Sequence, residues 1–204
     1  MAVPSRRNGM IDGEEEEEEG LFEEEVLEEF DTETPPHLRP LAEAAHLGNL
    51  TALTNALDNL SGSIDEPLED GDTALHLTCL YGYLSCVQLL VQRGASLETK
   101  DEDGAIPLHD ACAGGFAEIT QFLINAASSS DCLKQMLDTV DVEGDTPLHH
   151  AARGEHVDVV RILLAAGASP LKPNIYGKIP AELSDPHTEV RRTLEAAANA
   201  VPCQ

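Results

Sequence analysis

Tryptophan is absent from the 204 residues, and aromatic side chains make up only 3% of them. A core built from this chain is therefore aliphatic, and a core rich in Ala and Leu suits helices stacked close together. Positive charge is also scarce. Only 12 Lys and Arg stand against 38 Asp and Glu, a formal net charge of −26. Such a surface is unsuited to coating nucleic acid or anionic lipid, and it favours a basic partner. No run of apolar residues approaches the ~18 of a membrane span. The start, Met1-Ala-Val-Pro-Ser-Arg-Arg, lacks the apolar stretch of a secretory signal. The five cysteines (Cys79, Cys86, Cys112, Cys132, Cys203) form no C-x-x-C pair, and their odd number argues against a disulfide framework. The expectation is a soluble protein of the cytoplasm or nucleus whose thiols serve as small buried hydrophobes. At this length, one domain or one domain with a tail is expected.

Composition shifts near Pro35-Pro36. Residues 12–33 contain 14 acids and no base, leaving −12 for the rest of the chain. Six adjacent glutamates (residues 14–19) repel one another and bury nothing, so residues 1–39 are expected to form a disordered acidic tail. Leu21, Phe22, Val26, Leu27 and Phe30 lie among those acids at spacings that would share one broad helical face. Two readings stay open here. One is a solvated charge run. The other is a segment that folds onto a partner with Phe22 and Phe30 as anchors.

Beyond Pro40 the sequence repeats. Asp70-Gly71-Asp72-Thr73-Ala74-Leu75-His76, Asp103-Gly104-Ala105-Ile106-Pro107-Leu108-His109, Glu143-Gly144-Asp145-Thr146-Pro147-Leu148-His149 and Tyr176-Gly177-Lys178-Ile179-Pro180-Ala181-Glu182 align on glycines 33, 40 and 33 residues apart. The glycines suit a tight turn with positive φ, Thr73 and Thr146 suit helix caps, and Pro107, Pro147 and Pro180 suit a first helical turn. Apolar steps follow in a second, longer helix (Val87, Leu90, Val91; Ile119, Phe122, Leu123; Val159, Ile162, Leu163), with Gly94-Ala95 and Gly167-Ala168 as stops. This pattern resembles the ankyrin repeat, D-x-x-G-x-T-P-L-H-x-A-A followed by G-H-x-x-V-x-x-L-L-x-x-G-A, over residues 40–200. The resemblance implies an all-α solenoid of about five helix-turn-helix units with β-hairpin turns, at about 40–66, 67–99, 100–139, 140–172 and 173–200. The first and last units read as caps that close the apolar ends. Two departures stand out. Seven extra residues fall around 126–137, where a lengthened second helix or a protruding turn is expected. Gly154-Glu155-His156 replaces x-Gly-His, so that turn is expected to be altered.

His76, His109 and His149 recur too far apart for a zinc site, and the ankyrin resemblance gives this imidazole the structural task of bonding backbone between successive hairpins. No nucleophile, Walker, dinucleotide or H-E-x-x-H motif occurs, so no catalytic residue, cofactor or metal is expected. Binding is expected instead. In an ankyrin stack the hairpin tips and first helices face the ligand. Three successive tips carry Glu69, Asp70 and Asp72, then Asp101, Glu102 and Asp103, then Asp141, Glu143 and Asp145, with only Lys100 nearby. Asp101 and Asp141 are attributable to turn formation, leaving seven acids to explain. The next tip, Ile175-Tyr176-Gly177-Lys178, ends the acidic strip. Tyr81 is a further contact candidate, Tyr83 occupies a packing position, and Asp110 takes a place that is apolar in most ankyrin repeats.

The function expected is non-catalytic binding of a basic protein, with escort of a histone or ribosomal protein as the concrete form. The layout is similar to that of ankyrin-repeat chaperones of such proteins. The alternative is a signalling or transcriptional adaptor bridging two proteins; a regulatory subunit of an enzyme is a third reading. No direct contact with nucleic acid or membrane is expected, and a monomer is the default.

Overall fold

A computed structural model describes residues 34–68 and 70–200, and the compact unit to which they belong holds eleven helices and no strand among them. Five units follow the sequence repeat. The first pairs α1 (Arg39–His46) with α2 (Leu50–Asp58), and the second pairs α3 (Ala74–Leu80) with α4 (Leu84–Gln92). The third comprises α5 (Pro107–Ala113), α6 (Ala117–Ala126) and α7 (Ser130–Asp138). The fourth pairs α8 (Pro147–Arg153) with α9 (Val157–Ala166), and the fifth pairs α10 (Pro180–Leu183) with α11 (Glu189–Ala200). Each first helix packs on the first helix of the next unit, and the second helices form a parallel row. No helix among the described residues is long and apolar enough to cross a membrane.

The core is aliphatic, as the composition requires. Leu41, Leu53, Leu75, Leu90, Leu108, Leu123, Leu148 and Leu163 are fully buried between the rows. Ala44, Ala45, Ala111, Cys112, Ala151 and Ala152 are buried on the first helices, where their small volume permits close approach. Cys79, Cys86 and Cys112 are buried free thiols, and burial pushes all three above the ordinary thiol range. Cys203 lies outside the described residues.

The recurring histidine joins the units. In His76, His109 and His149, Nδ1 accepts the N–H of the residue three before it: Thr73, Ile106 and Thr146, each at 3.1 Å. An imidazole that accepts at Nδ1 carries its proton on Nε2. That N–H points at a carbonyl of the following hairpin: Ala105 at 3.4 Å, Asp145 at 3.2 Å and Lys178 at 3.2 Å. Each ring therefore caps its own helix and binds its neighbour. Burial holds all three rings below the ordinary imidazole range, His109 at about 4.

A second device recurs between the helices of each unit. Tyr83, Phe116 and His156 lay their rings over Gly48, Gly82 and Gly115 of the preceding unit, where a Cβ would come within 2.5, 2.4 and 2.4 Å. These glycines also have φ of +62, +80 and +75°. Glu155 stands at the corresponding position of the fourth unit and adopts the same left-handed backbone, φ 58°. The turn keeps its shape despite the side chain, and the Glu155 carboxylate accepts the Asp185 N–H of the last unit. The insertion is neither a longer second helix nor a bare turn. It is a separate helix, α7, capped by the Ser129 hydroxyl, which accepts the Cys132 N–H at 3.1 Å. Met136 and Leu137 anchor it in the core, because a nine-residue helix with a buried face costs less than an exposed apolar loop.

A ring held neutral at His109 gives a definite pH dependence. Its folded pKa, about 4, lies below the unfolded value of 6.5, so the unfolded chain takes up protons first as pH falls. Urea unfolding should lose free energy steadily from pH 6.5 towards 4. His109→Ala should cost about 2–4 kcal/mol at neutral pH by stranding the Ile106 N–H and the Asp145 carbonyl, and should flatten that acid slope.

Candidate protein-binding surface

The hairpin tips are closed by side chains as well as backbone. Asp101 Oδ1 accepts the Ala105 N–H at 2.8 Å, and Asp141 Oδ1 accepts from Glu143 and Asp145 at 2.9 and 2.8 Å. Asn174 Oδ1 accepts from Tyr176 and Lys178, each at 3.0 Å. These are turn-forming roles, as read from the sequence for Asp101 and Asp141. The tips are also bonded to one another. The Glu102 N–H donates to the Asp70 carbonyl at 3.2 Å, that of Val142 to Asp103 at 2.8 Å and that of Ile175 to Glu143 at 3.0 Å. Four hairpins thus form one continuous ledge. Asp70, Glu102 and Asp103 are exposed on its second and third units. Beside them lies a shallow concavity of about 490 Å³ between Pro35, Pro67, Asp70, Lys100, Asp101 and Glu102.

The repeat provides an internal comparison, because residues of the third unit correspond to those of the fourth 40 positions later. In the fourth unit the acids are answered by the chain itself. His150 Nε2 lies 2.8 Å from Asp141 Oδ2. Arg153 pairs with Asp145 and reaches Glu143 at 3.4 Å. Asn174 Nδ2 donates to Asp145 Oδ1 at 2.8 Å. Burial pushes the Asp141 carboxyl up, but the bond from His150, the Asp145 amide and the neighbouring imidazoles outweigh it and hold it below its ordinary value.

One and two units earlier every one of those partners is replaced. Asp110 stands where His150 stands, and Ala113 where Arg153 stands. Asp72 is the counterpart of Asp145, and it faces Asp101 in place of Asn174, with Leu80 in place of Arg153. The carboxylates of Asp72 and Asp101 lie within 4.8 Å of one another. Asp110 adds a third acid whose Oδ2 is buried with no hydrogen-bond partner among the described residues. Burial, followed by the charges of Asp72 and Asp101, raises Asp110 from 3.8 to about 8.

The remaining sequence expectations divide. Tyr81 is 45% exposed and stacks between His46 and Tyr83 at ring distances of 5.6 and 6.1 Å, so it presents a supported face to solvent. Glu143 is exposed, though Arg153 partly answers it. Asp145 is corrected: its side chain is fully enclosed and already paired with Arg153 and Asn174, so no partner reaches it. Asp110 is half-buried, with its Oδ2 enclosed. Glu69, Phe22 and Phe30 lie outside the described residues. The pairing of His150 and Arg153 with the tip acids was missed; superposing the third and fourth units in sequence would have shown a histidine and an arginine in one unit where the other has an aspartate and an alanine.

Two groups, Asp72 with His76 and Asp101, and Asp141 with Asp145 and His150, gather metal-type ligands. Both ring nitrogens of His76 already have protein partners, and His150 and Arg153 bond the acids of the second group. The donors in these groups are engaged in holding hairpins together.

The folded pKa of Asp110 lies above its unfolded value, so its ionisation opposes folding and stability is lost as pH rises from 3.8 through about 8. Asp110→Asn should stabilise the protein by about 1–3 kcal/mol at pH 8 and by much less at pH 5 in paired thermal melts.

Family profiles agree with this architecture. A profile of three ankyrin repeats matches residues 41–129 and a single ankyrin repeat matches 143–175, together more than half of the chain. No curated protein matches it. Such repeats are in general non-catalytic scaffolds for protein–protein interaction. With the repeat period, the bridging histidines and the paired helix rows in agreement, the chain belongs to the ankyrin-repeat family.

Proposed function

We propose that the protein is a non-catalytic module that binds a basic protein on the acidic side of its ledge, at the second and third units. One observation carries this reading. The places that His150 and Arg153 fill in the fourth unit are taken by Asp110 and Ala113 in the third, and among the described residues no ion pair reaches Asp101 or Asp110. A partner's lysine or arginine at that place would pair with Asp101 and favour ionisation of Asp110. A buried carboxylate without a counter-ion costs stability, and such a cost is characteristic of a site whose balance is completed by binding. Asp70, Glu102 and Asp103 at the rim would speed capture by long-range attraction, while Tyr81 offers a rigid, desolvatable contact.

The concrete form we favour is an escort, in the cytoplasm or nucleus, for a protein whose positive charge must be covered before assembly, a histone or ribosomal protein being the type. The acid-rich residues 12–33 would add non-specific attraction for the same client. The adaptor reading has one observation of its own. Val142, Ile175 and Tyr176 give the far end of the ledge a different chemistry, as a second partner would require.

Titration of the full chain with an arginine- and lysine-rich peptide, read by calorimetry, tests the reading. Affinity should fall at least about tenfold between low and high salt. Asp101→Asn with Asp110→Asn should lower it about tenfold or more while circular dichroism stays unchanged. A neutral peptide of the same length binding equally well, or no effect of the double substitution, would sink the proposal.

A further inference from the structure

The ledge is polarised along its length, and the polarity reverses between neighbouring tips. Corresponding positions read Asp70, then Glu102 and Asp103, then Val142 and Glu143, then Ile175 and Tyr176. Val142, Ile175 and Tyr176 are 63, 66 and 65% exposed. An isolated exposed apolar residue is ordinary. These three occupy adjacent tips tied by the Ile175 N–H to Glu143 carbonyl bond, on the same bonded ledge as the acids. The one acid among them, Glu143, is near the Arg153 guanidinium, so it competes weakly for an outside cation. Lys178 follows on the last tip and would repel a cation placed there.

Resting on the basic-partner reading above, we infer that the whole ledge takes one extended segment of the partner in a single register. Arginine or lysine lies over the second and third units, and aliphatic or aromatic side chains lie over the fourth and fifth. The acids recruit the segment, and Asp101 and Asp110 set where its cation stops. Val142, Ile175 and Tyr176 bury the apolar part, which makes the complex less sensitive to salt than a purely ionic one. The spacing follows from geometry. Adjacent first helices pack roughly 8–10 Å apart, and an extended chain advances roughly 3.3 Å per residue, so each unit matches about three residues. The partner's basic and apolar residues should therefore be about three to six positions apart.

The test uses the full chain and four synthetic peptides of equal length. Two carry a basic residue pair and an apolar pair at this spacing, in the two opposite orders. The third replaces the apolar pair by serine, and the fourth is a scramble. One of the two ordered peptides should bind about fivefold to tenfold tighter than the serine peptide and the scramble. Ile175→Ser with Tyr176→Ser should erase that advantage and leave the serine peptide's affinity unchanged. If the serine peptide binds as tightly as the better ordered one, the inference fails and the basic-partner reading survives. If none of the four binds, both fail together.

Discussion

Everything in this molecule is hung on an imidazole kept neutral. A ring that accepts from its own helix N-terminus and donates to the next hairpin does two tasks with two nitrogens, and a proton added to Nδ1 abolishes the first. Desolvation supplies the neutrality, since each ring is enclosed by the aliphatic rows that it helps to align. The dependence is mutual. The rows pack only if the hairpins are in register, and the register comes from the Nε2 bonds. The rings over Gly48, Gly82 and Gly115 do the same for the opposite end of each first helix by contact, and His156 Nε2 adds a bond to the Ala113 carbonyl at 2.9 Å.

That rigidity gives meaning to the charges on the ledge. In a flexible loop, three carboxylates would move apart and regain water. Here tip-to-tip backbone bonds and turn-closing aspartates hold them where they are, and Asp110 responds by keeping its proton up to about pH 8. The fourth unit surrounds its tip acids with Arg153 and His150, whereas the third unit has Ala113 and Asp110 at those places. One scaffold therefore contains two versions of the same side-chain arrangement. The difference lies in a few side chains, with no change in backbone.

The insertion and the glutamate turn show how tolerant the frame is away from those bonds. Seven extra residues fold into α7 outside the hairpin path, and the hairpin bonds before and after it keep their geometry. Glu155 accepts a left-handed backbone where its counterparts are glycines, and its carboxylate compensates by holding the start of the next unit's loop. Both departures are local because each unit touches only its neighbours.

The repeat, the aliphatic core and the turn-forming role of Asp101 and Asp141 are legible in the order of residues alone. Each of these depends on neighbours a few positions away, or on a period that spacing reveals. That order also marks Asp110 as out of pattern. Which acids are open and which are spent emerges only once the units are folded together. Asp145 and Asp103 look alike in the chain, yet Asp145 is enclosed between Arg153 and Asn174 while Asp103 faces water. Their fates depend on side chains from the same and the following unit, 8 and 29 residues beyond Asp145, meeting in space. Charge pairing is a matter of distance and burial, and neither is written in the order of residues along a strip.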